Sequence, residues 1–342
     1  MRPVLAGIAG ALLLAACGTS QNLRDAGPLP DSGPTTQPLA PIFYAVGFPV
    51  AGLVVNDDGN FVAVSSEQPL VYVLDTDGLG TDDQAAVTTS VTWQPLLTRT
   101  GPGGRSDVLN ADGTLFSLDL ATVGATTYAQ VTPPPRSFVM RRDAEGVAVI
   151  VPDAGVQLLD GNGALQQTYA LPAGAEADDI AADGLGRYYA ALNVDGGCSG
   201  VAVLAPDGGD PFQHDFGDAP CAVTLSSDNT TLWLTAQTDG GATLYELRAR
   251  QLPASSALLG SWLLPNVHAT QVYISDDDAV VAVLGEPPGN TLAMSRTAAL
   301  VSAKPLPTAP AVEIESAAGA VFDDSDALYI ADPIQKTIDV VR

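Results

Sequence analysis

A strand–turn–strand unit that repeats along residues 42–342 constrains the fold of this chain more than any other feature. Short apolar runs rich in Val, Leu and Tyr flank polar turns, as in residues 54–64 and 108–116, and no long stretch keeps a helical period. The turns lie 33 to 54 residues apart and are centred on Gly59, Gly113, Gly146, Gly186, Asn229, Asp278 and Asp326. Four short strands in about 45 residues are typical of one β-propeller blade. The sequence therefore predicts an all-β propeller of seven four-stranded blades, or six if the weak unit around Glu145 is not a separate blade.

Two copies of the repeat resemble known propeller families. Residues 320–332, together with 337–341, resemble the NHL-type repeat, and residues 61–75 are similar to the YVTN-type repeat. The resemblance implies the architecture alone, because these families share no single activity.

The chain ends indicate how the ring closes. The last repeat has three strands, and residues 42–46 form an apolar strand before the first repeat. Pairing of this strand with residues 337–341 would complete the last blade and remove two exposed strand edges. We therefore predict that an N-terminal strand closes the ring.

The first 17 residues have the layout of a secretory signal. Arg2 precedes an apolar run from Val4 to Leu14 that is too short to span a membrane, and two alanines then lead to Cys17. Residues 14–17 resemble the lipobox of bacterial lipoproteins, which implies cleavage before Cys17 and acylation of its thiol. The alternative is an ordinary signal peptide that contains a cysteine.

The resemblance divides the chain into a signal peptide (1–16), a lipidated Cys17 with a tether (17–41) and a propeller domain (42–342). The tether contains five prolines and is semi-extended. The sequence thus predicts an exported, membrane-anchored lipoprotein that contacts the membrane through its lipid alone. Gly18 after the cysteine implies the outer membrane, if the organism is Gram-negative.

The charge of the chain restricts its partners. It has 39 acidic and 14 basic side chains, a net charge of −25. Such a field repels nucleic acid and anionic headgroups, which excludes both as broad-surface partners. Arg136, Arg141 and Arg142 form one basic cluster, which we interpret as a solvated strand face and not as an anion site.

Cys198 and Cys221 are the two cysteines of the propeller domain. In an exported protein such a pair is expected to form a disulfide, which would stabilise this fold by about 3 kcal/mol. A metal site is disfavoured, because the histidines are His214 and His268 and no CxxC motif occurs.

We letter the strands of each blade A to D from the axis outward, so that A–B and C–D turns share one face. We assign all seven turns named above as A–B turns. The first interval between them, from Gly59 to Gly113, is the longest, and we assign its extra length to an insertion around residues 76–83. The A–B turns would place these carboxylates on one face: Asp57, Asp58, Asp112, Asp143, Asp183, Asp228, Asp276, Asp277, Asp278, Asp323, Asp324 and Asp326. They could bind a cation or a basic partner, but the pattern favours turn capping, because Asp accepts hydrogen bonds from its own turn.

Residues 75–83, with aspartates at alternate positions and a glycine at the sixth, resemble the first half of an EF-hand-type calcium loop. The pattern fails at Leu79, where an oxygen ligand is expected, and at Ala86, where a Glu belongs. The alternative is a polar insertion between strands, and Ca²⁺ is the one cofactor that the sequence suggests. The candidate ligands are Asp75, Asp77, Asp82 and Asp83.

The B–C and D–A loops would form the opposite face, which we call the B–C face. By this assignment it carries Glu67, Arg105, Arg136, Asp178, Asp179, Asp195, Gln237, His268, Asn290, Asp332 and Lys336, with both cysteines. The candidate binding residues are Glu67, Asp178, Asp195, His268 and Asp332. An envelope protein or a small ligand is the expected partner, because polar loops at one end of a rigid scaffold commonly bind.

No catalytic motif accompanies these residues. The sequence has no GxSxG, HExxH or phosphate loop, so it predicts no catalytic residue. We interpret the chain as a lipid-anchored, non-catalytic binding scaffold of the cell envelope. The alternative is a metal-dependent hydrolase of the lactonase type, which would need inward carboxylates and an amide around one cation.

Overall fold

The computed structural model describes residues 42–55, 61–74, 81–86, 92–101, 105–119, 124–143, 145–205, 211–285, 292–300, 317–323 and 325–341. Within these ranges the chain is almost entirely β-structure. Its helical elements there are two 3₁₀ turns, Ala249–Gln251 and Ser255–Ala257, and the short helix α1, Thr297–Leu300. None of these is long or apolar enough to cross a membrane.

The strands group into small antiparallel units. The first ones are β1 (Ile42–Ala45); β2 (Val50–Val55), β3 (Phe61–Ser65), β4 (Leu70–Leu74) and β5 (Thr81–Ala86); β6 (Pro95–Thr100), β7 (Ser106–Asn110), β8 (Thr114–Asp119) and β9 (Gly124–Gln130). They are followed by β10 (Ser137–Met140), β11 (Gly146–Val151), β12 (Gly155–Asp160) and β13 (Leu165–Tyr169); β14 (Glu176–Ala182), β15 (Tyr188–Val194), β16 (Gly197–Leu204) and β17 (Phe212–Leu225). The last are β18 (Thr231–Thr238), β19 (Gly241–Arg248) and β20 (Leu258–Pro265); β21 (Ala269–Ile274), β22 (Val280–Gly285) and β23 (Ala293–Arg296); β24 (Gly319–Phe322), β25 (Leu328–Asp332) and β26 (Thr337–Val341).

Strand β17 belongs to two units. It pairs with β16 from Phe212 to Asp218 and with β18 from Asp218 to Leu225. The seven-stranded sheet β14–β20 is therefore two four-stranded units that share one long strand. The strand acts as outer strand D of one unit and as inner strand A of the next.

Apolar clusters join each unit to the next around the ring. Along β3, Val62 and Val64 pack against the unit β6–β9, whereas Phe61 and Ala63 pack against the unit β24–β26. Successive side chains of a strand point to opposite faces, so both faces of a blade are buried between neighbours. This burial explains why the middle strands read as continuous apolar runs in the sequence.

The predicted ring closure is confirmed. Strand β1 pairs antiparallel with β26, from Ile42 opposite Val340 to Ala45 opposite Thr337. The sheet order is β1–β26–β25–β24, so the N-terminal strand is the outer strand of the last unit. Tyr44 and Val46 pack against the apolar cluster between the last and first units.

The β-propeller class of the prediction is thus confirmed. The described strands form seven units, of which β21–β23 has three strands. Residues 301–316, which follow that unit, lie outside the described residues, so the number of complete blades stays a prediction.

One turn assignment was wrong. The turn at Asp112 and Gly113 connects β7 to β8, the second and third strands of their unit, and is a B–C turn. Arg105 precedes β7 at the A–B end and does not lie on the B–C face. The A–B connection of this unit lies between β6 and β7, near residue 103. The first two intervals between A–B turns then become about 44 and 43 residues, close to the period of about 45 expected of a blade. The irregular spacing therefore needs no insertion around residues 76–83.

Candidate functional site

The inner strands surround a central cavity of about 690 Å³. Its walls come from all seven units, through β2, β6, β10, β14, β17, β21 and β24. The lining residues lie in the second half of most of these strands and in the A–B turns, where Arg142, Ser227 and Asp276 are exposed. The cavity therefore opens at the A–B face, opposite the face that carries the candidate binding residues.

Asp179 links four units at the wall of this cavity. Its Oδ1 accepts a hydrogen bond from Ser137 Oγ at 2.8 Å and pairs with Arg99 Nη2 at 3.4 Å. Its Oδ2 accepts the backbone N–H of Val223 at 3.1 Å. These partners lie on β10, β6 and β17, whereas Asp179 is on β14. We call Arg99, Ser137, Asp179 and Val223 the axial cluster.

Tyr273 continues the polar contacts across the cavity. Its hydroxyl donates to Gln271 Oε1 and accepts the backbone N–H of Ala320 at 3.1 Å. Burial raises the pKa of this phenol, and the nearby Arg99 guanidinium opposes the rise. The tyrosine therefore remains a neutral hydrogen-bond donor at neutral pH.

These contacts give hydrogen-bond partners to backbone groups on the unpaired edges of the inner strands. An innermost strand has one paired edge, and its other edge presents N–H and C=O groups to the axis. Asp179 accepts from Val223, Tyr273 accepts from Ala320, and Thr98 Oγ1 donates to the carbonyl of Leu53 at 3.5 Å. Arg99, Ser137 and Tyr273 were not among the predicted site residues, because polar residues on short strands carry no local signal of an axial position.

Four aspartates of the A–B turns cap their own turns, whereas Asp57, Asp58 and Asp324 lie outside the described residues. Asp183 Oδ1 accepts the N–H groups of Leu185 and Arg187, at 2.8 and 2.9 Å. The same pattern holds at Asp228, Asp277 and Asp323, each of which accepts an N–H two residues on. The turn-capping interpretation of these aspartates is confirmed.

Among the candidate binding residues, Glu67, Asp195 and His268 are exposed at the B–C face. Asp332 lies at the same end but is fully buried, and its Oδ1 accepts the N–H groups of Ile334 and Gln335 at 2.9 Å. Asp332 therefore caps a turn and is not part of an exposed binding surface. The binding role of the other residues stays a prediction.

The disulfide between Cys198 and Cys221 is confirmed. The two Cα atoms are 5.8 Å apart, and both side chains are buried between the units that share β17. Asp178 supports this bridge, because its Oδ2 accepts the N–H of Cys221 at 3.1 Å. Asp178 also accepts from Asn193 Nδ2 at 3.2 Å and lies 3.8 Å from Arg136 Nη1. Its carboxylate is thus occupied by contacts within the fold.

Two of the four predicted calcium ligands lie in the described part of the chain. Residues Thr81–Ala86 are strand β5 and pair with β4, with Asp83 opposite Val73, so Asp82 and Asp83 lie on an extended strand. Asp75, Asp77 and Cys17 lie outside the described residues, as does Asn290. In the described part of the chain, no three His, Cys, Asp or Glu side chains are placed to hold a metal ion.

Asp339 carries a buried carboxyl group at the closing seam. Its side chain is fully buried on β26, and Oδ1 accepts from Thr337 Oγ1 at 2.9 Å. Oδ2 has no hydrogen-bond partner among the described residues. Burial raises the pKa of Asp339 to about 6, with a smaller contribution from the charge of Asp332.

We expect Asp339→Asn to stabilise the protein at pH 7.5. The folded-state pKa lies above the unfolded one, so the stability contribution of this group is full below about pH 4 and is lost as pH rises through about 6. The gain in unfolding free energy should be about 2 kcal/mol larger at pH 7.5 than at pH 4, by urea denaturation. The exposed Asp195→Asn serves as control; an equal gain at both pH values would contradict the assignment.

Comparison with known proteins identifies the fold. The sequence matches no protein-family model and no curated protein. Among solved structures, hydrazine synthase of Kuenenia stuttgartiensis is 12% identical with a TM-score of 0.69, covering 87% of this chain and 97% of that chain. A streptogramin B lyase is 12% identical with a TM-score of 0.68, covering 89% and 98%. Virginiamycin B lyase from Staphylococcus aureus is 13% identical with a TM-score of 0.66, covering 89% and 99%. At such identities the likeness concerns the fold alone, and it agrees with the topology above: this chain is a β-propeller protein.

Proposed function

We propose that this protein is an exported, lipid-anchored propeller that acts as a non-catalytic binding scaffold at the cell envelope. The observation that carries the proposal is the path of the chain. Strand β1 is an outer strand whose first residue, Ile42, lies at the A–B end, and whose last residue pairs beside the B–C turn of its unit. A tether to a lipid on Cys17 would therefore join the domain at the A–B face, and we propose that the B–C face is the one that binds a partner.

The B–C face carries side chains that a protein partner could contact. Val194 at the end of β15 and Ile334 in the turn after β25 are exposed apolar side chains of two separate units, with exposed fractions of 37% and 59%. The exposed Asp195 and Lys336 flank them in the same turns. Apolar side chains ringed by polar ones mark many protein interfaces. We infer an envelope protein as the partner.

The contacts of Asp179 support a binding function and not a hydrolase function. A lactonase-type site needs carboxylates that are free to hold a cation, and both oxygens of Asp179 are occupied by Arg99, Ser137 and the Val223 N–H. The mechanism of binding is therefore surface recognition by a rigid scaffold. The hydrolase alternative predicts turnover of lactones or esters that requires a divalent metal and stops with EDTA.

Crosslinking capture in the native membrane tests the proposal. The wild-type protein should capture a near-stoichiometric envelope protein, and Val194→Asp with Ile334→Asp should abolish capture. Leu185→Asp is the matched control, because Leu185 is a 70% exposed side chain in an A–B turn. Equal capture by both variants would contradict the assigned face.

The anchor is tested separately. We expect Cys17→Ser to move the protein from the membrane fraction to the soluble fraction and to abolish labelling with a palmitate analogue. Retention in the membrane would contradict lipid anchoring and favour an uncleaved or ordinary signal peptide.

A further inference from the structure

We infer that the central cavity binds a small organic anion, and that Arg142 at the cavity mouth holds the anionic group. The inference rests on the proposed binding function but concerns a second site, on the opposite face from the proposed partner surface. Its volume of about 690 Å³ falls within the range of small-molecule sites.

Arg142 differs from the other arginines near it. Arg141 pairs with Asp143 at 2.9 Å and Arg136 with Glu176 at 2.6 Å. Among the described residues, the contact of the Arg142 guanidinium is one hydrogen bond from Nη1 to Asn229 Oδ1 at 3.4 Å. A guanidinium has five N–H donors, so most of its capacity remains for a ligand. The interpretation of the basic cluster as a solvated strand face therefore does not extend to Arg142.

Two of the three carboxylates near Arg142 are directed to other partners. Asp183, Asp276 and Asp278 all lie near enough to interact with its charge. Asp278 accepts from the N–H and hydroxyl of Ser227 at 2.7 and 2.9 Å. Asp183 accepts from Arg187 Nε at 2.7 Å and from its own turn. A ligand carboxylate, sulfonate or phosphate at the guanidinium would gain charge-assisted, bidentate hydrogen bonds, against the screened repulsion of these carboxylates.

The rest of the wall is of mixed polarity. It contains apolar residues, among them Val139 and Ile180, and hydroxyl-bearing residues, among them Thr98, Thr100 and Thr224. The second arginine of the wall, Arg99, is neutralised by Asp179. The site therefore offers one available cation at the mouth of a chamber that can hold a small organic body.

Two probes with the same body and opposite charge test the inference: 4-phenylbutyrate and 4-phenylbutylamine. Each is titrated by calorimetry into the full-length protein in lipid nanodiscs, with empty nanodiscs as blank. We expect saturable binding of the carboxylate and at least tenfold weaker binding of the amine. Arg142→Gln should weaken carboxylate binding by about tenfold, since hydrogen bonds to charged groups contribute about that much.

Arg248→Gln is the matched control, because Arg248 is exposed near the same face but does not line the cavity. It removes the same charge and should leave the affinity unchanged. Equal or tighter binding of the amine, an unchanged affinity of Arg142→Gln, or no binding of either probe would overturn the inference. Each of these results leaves partner capture at the B–C face unaffected, so the two proposals fail independently.

Discussion

Deleting residues 42–46 should open the propeller ring and cause the largest loss of stability of any change considered. The deletion removes the pairing of β1 with β26 and the packing of Tyr44 and Val46 at the last blade interface. It also exposes the edge of β26, where Ile338 and Val340 are buried. Loss of this strand and its apolar contacts should lower the unfolding free energy by about 3–6 kcal/mol.

The exposed edge has a second consequence. A strand with an unpaired, apolar edge is a template for pairing with another molecule, so the variant should form oligomers or aggregates. Deletion of residues 30–34 is the matched control, because it removes the same number of residues from the tether and leaves β1 intact. Thermal unfolding and size-exclusion chromatography of both variants give the result. A deletion of 42–46 that behaves like the control would show that β1 does not close the ring.

The second large effect is expected at the axial cluster. Asp179→Ala leaves Arg99 without its counter-ion and the N–H of Val223 without an acceptor, at a point where four units meet. Breaking a largely buried pair is strongly destabilising, and both groups retain some exposure, 24% and 15% of their side chains. We expect a loss of about 2–4 kcal/mol in urea denaturation.

A double-mutant cycle measures the coupling energy of the Arg99–Asp179 ion pair separately from the loss of other packing contacts. Asp179→Ala, Arg99→Ala and the double variant should show a coupling energy of about 1–3 kcal/mol. Glu67→Ala, at an exposed carboxylate in a B–C turn, should change stability by less than about 0.5 kcal/mol. Additive losses in the cycle would show that the ion pair does not hold the units together.

The misassigned turn shows where local sequence reasoning ends. The turn at Asp112 has the same chemistry as the true A–B turns, since its Oδ1 accepts the N–H of Thr114 at 3.0 Å. An A–B turn and a B–C turn therefore look alike in sequence, and only strand pairing shows which strand of the unit a run forms. The same limit applies to the calcium-loop resemblance that begins at Asp75, since the sequence did not show that residues 81–86 pair as an outer strand.

The sequence alone determined the repeat period, the propeller class, the closing strand and the disulfide, because each depends on alternation along the chain or on a unique pair of residues. Tertiary structure decided the axial cluster, the cavity and its open face. Arg99, Ser137, Asp179 and Val223 come from four units and converge only when the ring closes. Their function depends on distances across the axis, which no local pattern of residues encodes.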